Sequence, residues 1–286
     1  MADRDGLDLD GRVVVVAGAG GGGIGTAVCR CLAEAGAVIV ALDIRREALD
    51  AVEAAVAGTP GRCRCVVADV RDPVQVEDAV AGADALGPLH GLVHVAGGIR
   101  GEHWAPLLEM SLDTFDAVMD LNLRAAVVTM KSVAARVVAN GRGGSLVVVS
   151  SVAAFGAMPF AAHYAAAKSA LLSLTRSAAL EWGPHSVRVN AVAPGTVRTP
   201  KTGGDAEAPD TDAEQAALPL ARRGRPADVA GAVLFLLSGM SEWVTGQVLA
   251  VDGGSSVRPS FLGADNLPVF VHNEMMRSRL LGRPDA

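Results

Sequence analysis

The chain has 286 residues, half of them hydrophobic, so a large core can form and disorder is excluded as the default state. Aromatic residues make up only 3% and the formal charge is −6 with scattered arginines, which argues against a base-stacking platform or a nucleic-acid surface. The apolar mass is Ala, Val and Leu, which suits close packing of helices on a sheet.

Residues 1–10 are acidic and polar, with neither a basic n-region nor an apolar h-region, so no signal or transit peptide is expected and the cytoplasm is the expected compartment. Residues 12–17 are rich in β-branched side chains and run into glycines, and 26–35 show a helical pattern closed by Gly36. The alternation repeats with a strand at 38–42, a helix at 46–57, a strand at 63–68, a helix at 73–85 and a strand at 91–95. Helical stretches follow at 111–139 and 164–182, with strands at 145–149, 188–192 and 248–251. Short apolar strands separated by helices predict an α/β fold with a single doubly wound parallel sheet, covered on both faces.

No repeat or linker divides the chain, so 1–254 reads as one domain. Residues 201–216, rich in Gly, Asp, Glu and Pro, read either as an ordinary surface loop or as a lid spanning 200–218. The most apolar stretch, 145–167, is interrupted by Ser150, Ser151, Pro159 and His163, a poor pattern for a membrane span. Four cysteines form two pairs, Cys29 with Cys31 and Cys63 with Cys65, and neither has C-x-x-C spacing. Idle thiols are expected, and no metal site.

Residues 13–25 read VVVVAGAGGGGIG. A strand feeding a glycine-rich turn into a helix is an anion site: glycines let the backbone approach a pyrophosphate, and the helix N-terminus offers free N–H groups. Asp43 at the end of the second strand can accept both ribose hydroxyls of an adenosine, and its charge repels the 2′-phosphate of NADP, so NAD(H) is favoured. Arg45 and Arg46 lie close enough to bind that phosphate if the loop turns inward.

Tyr164 and Lys168 are four residues apart on one helical face. A tyrosine, with an unperturbed pKa of about 10, serves as a base near neutrality only where a cation stabilises the phenolate. Ser151, at a strand end, offers a hydroxyl to a substrate oxygen.

From residue 12 to 254 the sequence resembles the short-chain dehydrogenase/reductase family, in its 3-oxoacyl-reductase-like branch. The markers occur in order: the glycine turn, Ala68-Asp69-Val70, Ala96-Gly97, Asn122, Ser151, Tyr164 with Lys168, Pro194-Gly195 with Thr199, and Thr245-Gly246-Gln247 through Asp252-Gly253-Gly254. The resemblance implies a Rossmann fold, a homotetramer or dimer, and an oxidoreductase interconverting a secondary alcohol and a ketone. By it Tyr164 is the general acid/base, and Lys168 lowers its pKa and binds the nicotinamide ribose. Ser151 donates to the substrate oxygen, and Asn122 holds a relay water. Cofactor contacts are implied for Gly18, Gly22, Gly23, Ile24, Gly25, Asp43, Ile44, Asp69, Val70, Ala96, Gly97, Tyr164, Lys168, Pro194, Gly195, Val197 and Thr199. A protein that binds NAD(H) for regulation or scaffolding, without turnover, is the alternative.

Three features depart from the family's pattern. Four residues rather than three separate Gly18 from Gly23, and Ala17 stands where a hydroxyl residue would brace the turn, so altered turn geometry with retained cofactor binding is expected. His94 replaces an asparagine and reads as a hydrogen-bonded core residue, while His163, beside Tyr164, points elsewhere on its helix. Residues 255–286 extend past the family's usual end and are too apolar for a solvated tail; 273–281 suit a short amphipathic helix, packed on its own or a neighbouring subunit. Ala153, Ala154, Phe155, Met158 and Pro159, with the segment before Leu218, suggest a largely apolar substrate pocket.

Overall fold

A computed structural model describes residues 6–200, 210–259, 261–263 and 265–282. Its strands are β1 (Val13–Ala17), β2 (Val38–Asp43), β3 (Arg62–Val67), β4 (Leu89–His94), β5 (Gly144–Val149), β6 (Val187–Pro194) and β7 (Val248–Val251). They form one sheet in the order β3-β2-β1-β4-β5-β6-β7, with every neighbouring pair parallel. The chain winds outward from β1 to β3 and then returns to lay β4 against the other side of β1. That reversal opens a crevice at the carboxyl ends of β1 and β4, the place where doubly wound sheets bind ligands.

The helices are α1 (Ile24–Glu34), α2 (Arg46–Val56), α3 (Pro73–Asp84), α4 (Leu112–Met119), α5 (Ala125–Asn140), α6 (Ala162–Trp182), α7 (Asp212–Ala217), α8 (Pro226–Leu237) and α9 (Glu274–Leu280). Alternate residues of β1 feed two cores. Val13 and Val15 pack with Val76 and Val80 of α3 and Met130, Val133 and Val137 of α5, whereas Val14 and Val16 pack with Val28 and Leu32 of α1, Leu49 of α2 and Val233 of α8. Burial on both faces explains why β1 carries no polar alternation.

Two helical expectations need correction. The stretch expected as one helix over 111–139 is two, α4 and α5, joined by a π-helical turn, Asp120–Arg124. Asn122 Nδ2 donates to Val118 O at 3.0 Å and Ala125 N–H reaches back to Asp120 O, so a side chain has entered the backbone ladder and widened it. Helix α8 was not expected at all: AGAVLFLL is apolar all round and shows no helical period to read. It fills the second core against α1.

The centre of the segment read as loop or lid, 201–209, lies outside the described residues. Beyond it Asp210 accepts from Arg198 Nη2 at 2.5 Å and from Arg223 Nε at 2.6 Å, and α7 opens on a Thr211–Glu214 capping box. Cys63 and Cys65 share a face of β3 with sulfurs 3.9 Å apart, and burial pushes the Cys63 thiol up to about 12, so the unreactive thiol form is favoured. No helix among the described residues is long and apolar enough to cross a membrane.

Candidate active site

The glycine turn distributes its N–H groups in two sets. Gly18 and Ala19 donate to Leu42 O, Gly20 to Asp43 Oδ2 at 3.0 Å, Gly21 to Ala48 O, and Gly22 to Thr26 Oγ1 at 3.1 Å. The N–H groups of Gly23, Ile24 and Gly25, which open α1, find no acceptor among the described residues. These are the groups that fit a pyrophosphate, at the positive end of the α1 dipole. The extra residue is taken up by the Gly20–Gly21 arc, which leans on Ala48 of α2.

The missing brace at Ala17 is replaced from the other side. Thr26 accepts from Gly22 and donates to Ala19 O at 3.0 Å, tying both limbs of the turn to α1. Sequence reasoning missed this residue, although a hydroxyl one position after the last turn glycine was its signal. Gly25 is obligatory here, because a Cβ would sit 2.1 Å from Gly18 O.

Asp43 closes β2 at the mouth of the crevice, accepting from Gly20 and, through Oδ1, from Arg45 N–H at 3.2 Å. Ile44 beside it is exposed, an apolar platform for a flat ring. Arg46 pairs with Glu53 and Asp50 along α2. Asp69 takes a bidentate grip from Arg71, which holds its carboxyl below the usual range, and Val70 is buried beneath it.

On the other side of the crevice, Ser150 and Ser151 follow β5. Ser150 Oγ donates to Lys168 O at 2.9 Å, which fixes α6 on the strand end, and Lys168 Nζ donates to Val149 O at 3.1 Å. Ser151 Oγ accepts from Ala153 N–H at 3.2 Å; burial holds the Tyr164 phenol above its usual range, and the nearby Ser151 side chain opposes that shift. Lys168 lies over the Tyr164 ring, its ammonium 5.7 Å from the centroid. Ala96 and Gly97 follow β4. A Cβ on Gly97 would stand 2.7 Å from Asn122 Oδ1 and 3.1 Å from Lys168 Nζ, so this glycine, at φ 146°, brings the backbone against both.

Asn122 is buried in the π turn, with Oδ1 accepting from Gly98 N–H at 2.7 Å and Nδ2 donating to Gly98 O at 2.9 Å. Its side chain is therefore committed to the β4 loop. Pro194 ends β6 and Gly195 follows it next to Asp252, Val197 is buried and bridges Gly224, and Thr199 lies 3.7 Å from a Cβ built on Gly23, so this loop stands beside the glycine turn.

His94 is fully buried, with Nδ1 2.8 Å from Thr129 Oγ1, and burial followed by the Lys168 charge holds it neutral, at about 3. Lys168 is itself lowered from 10.5 to about 8 by burial. The folded state therefore carries a charging penalty that is full below about pH 8 and fades toward pH 10.5, so stability rises with pH in that window. Lys168→Met is expected to raise the melting temperature at pH 7, by roughly 1–2 kcal/mol of stability, and to give no gain above pH 10.5, as calorimetry against pH will show.

A switch-point crevice with a glycine turn on one side and a Ser, Tyr and Lys cluster on the other defines a dinucleotide-binding oxidoreductase. Residues 18–256 match the family described as "Enoyl-(Acyl carrier protein) reductase". The 3-oxoacyl-[acyl-carrier-protein] reductase of Thermotoga maritima is 36% identical over 249 residues, 86% of this chain and 98% of that protein. The galactitol 2-dehydrogenase (L-tagatose-forming) of Cereibacter sphaeroides is 38% identical, over 87% of this chain and 96% of its own. Carveol dehydrogenase from Mycobacterium avium, solved in complex with NAD, superposes with a TM-score of 0.80 at 33% identity, covering 87% of this chain and 99% of that one. The chain belongs to the short-chain dehydrogenase/reductase family and is an NAD(P)-dependent alcohol dehydrogenase or ketoreductase.

Proposed function

We propose that the protein interconverts a secondary alcohol and a ketone with NAD(H) on a largely apolar substrate, with Tyr164 as general acid/base. The observation that carries this reading is the buried Lys168 held on Val149 O with its ammonium 5.7 Å from the Tyr164 ring centroid, beside Ser151 and at the same end of the sheet as the free N–H groups of α1. Gly18, Gly22, Gly23, Ile24 and Gly25 would hold the pyrophosphate, and Asp43, Ile44, Asp69 and Val70 the adenosine. Ala96, Gly97, Lys168, Pro194, Gly195, Val197 and Thr199 would surround the nicotinamide end. NAD(H), when bound, supplies or accepts the hydride.

In the oxidation direction Tyr164 takes the hydroxyl proton, and in reduction it returns one to the carbonyl oxygen, which Ser151 holds by donating its O–H. A charged Lys168 over the Tyr164 ring would favour the phenolate when the proton leaves. Asn122 positions the β4 loop, and with its side chain committed there any relay water falls to its main chain.

Ala153, Ala154, Phe155, Met158 and Pro159 lie beside Ser151 with no cation among them, which supports an apolar substrate, and the printed activities of the relatives support alcohol or ketone chemistry. Residues 1–254 carry catalysis and 255–286 are an extension. The apolar groove between α5 and α6, lined by Met130, Ala134, Leu174, Ala178 and Trp182, supports assembly as a homotetramer or dimer. The cytoplasm is the proposed compartment.

The test is purified protein assayed against cyclic, acyl-chain and polyol alcohols and ketones, with NAD(H) and NADP(H), by nicotinamide absorbance. Turnover of an apolar ketone with NADH is the expected result. No turnover on the whole panel, with NADH still bound, would overturn the enzymatic reading in favour of a cofactor sensor.

A further inference from the structure

The residues beyond the family match form a small folded unit. Leu262 and Pro268 pair in an antiparallel bridge, the Phe261 and Phe270 rings lie 6.0 Å apart, and Asp265 pairs with Arg277 of α9. Arg277 also donates to Val271 O at 3.0 Å, so α9 and the preceding turn are one body.

The seam between this body and the catalytic domain runs past α7. On the catalytic-domain side of it, just before the extension begins, Leu220 N–H donates to Gly253 O at 3.2 Å and Pro219 lies against Gly254. Arg258 spans the seam: Nη1 donates to Ala216 O at 2.7 Å, in the last turn of α7, and Nη2 to Gly263 O at 2.5 Å in the extension. Its Nε is buried, and among the described residues it has no carboxylate partner. A cation bound only to carbonyls at a helix C-terminus satisfies acceptors that the helix itself leaves open.

Besides the Leu220–Gly253 and Arg222–Asp228 bonds, the segment from Asp210 to Gly224 is held at three corners. Asp210 is gripped by Arg198 and Arg223, and Gly224 pairs with Val197, so two corners adjoin the residues placed at the nicotinamide end. The third corner is Arg258, and it comes from the extension.

We propose that Arg258 is a positioning residue: it ties the C-terminal extension to α7 and thereby sets the substrate side of the cleft. The substrate half of this inference rests on the alcohol/ketone reading above. Lysine does not replace it, because one ammonium lacks the rigid planar fork that reaches two separate carbonyls.

The experiment uses the full-length, NADH-loaded protein as wild type, Arg258→Ala and Arg258→Lys. It measures amide hydrogen exchange over 212–220, NADH affinity by fluorescence titration, and kinetics with the best ketone from the panel. In Arg258→Ala, exchange over 212–220 is expected to accelerate about tenfold and KM to rise about fivefold, with kcat and NADH affinity within about twofold. Arg258→Lys recovers only part of both changes. Unchanged exchange over 212–220 overturns the tie to α7, whether or not any ketone is turned over. Faster exchange spread evenly over the whole chain overturns it too, as does full recovery by lysine. Faster local exchange with an unchanged KM overturns the substrate half. A panel with no substrate counts against the alcohol/ketone reading alone, since the exchange data still judge Arg258.

Discussion

Tyr164→Phe is expected to lower turnover at least about a thousandfold while leaving NADH affinity within about twofold. The variant keeps the ring that packs under Lys168 and removes only the phenol oxygen. Proton transfer in the reacting state is lost, whereas the glycine turn, Asp43 and the free N–H groups of α1 stand on other elements and are untouched. Steady-state kinetics with the best substrate, set against a fluorescence titration of NADH, separate the two effects. Activity within tenfold of wild type would show that another group moves the proton and would end the role given to Tyr164.

Asp43→Ser is expected to shift the ratio of kcat/KM for NAD to that for NADP by about a hundredfold toward NADP. The carboxylate stands at the crevice mouth and already accepts from Gly20 and Arg45, so its position is fixed by the backbone around it. Losing it removes both the acceptors for the ribose hydroxyls and the repulsion of a 2′-phosphate. Arg46 is committed to Glu53 and Asp50, which leaves Arg45, without a carboxylate partner among the described residues, as the cation nearest the phosphate. An unchanged ratio, or a wild-type preference for NADP(H), would show that Asp43 does not select the cofactor.

Much of the site was legible because its chemistry follows chain order. The strand, glycine turn and helix at 13–34, the acid closing β2, and the Tyr164–Lys168 spacing each need only local sequence, and no strand boundary differs from expectation by more than two residues. Thr26 was legible in principle, being adjacent to Gly25, but nothing local says that its hydroxyl turns back to Gly22 and Ala19. The Lys168 influence on Tyr164 was expected from helical spacing, but the burial that holds this phenol above its usual range depends on how α6 packs and has no local signal.

By itself, then, the sequence determined the alternation of strands and helices, the glycine turn between β1 and α1, and the placing of Tyr164 and Lys168 one helical turn apart, because hydrophobic period, glycine tolerance and helical spacing are short-range properties. Only the tertiary structure decided what depends on distant partners meeting. The split of α4 from α5 arises where Asn122 reaches across to Gly98. The burial that lowers Lys168 is imposed by packing of α6 on β5. The seat of the extension on α7, through Arg258, joins residues forty-two positions apart that no local pattern connects.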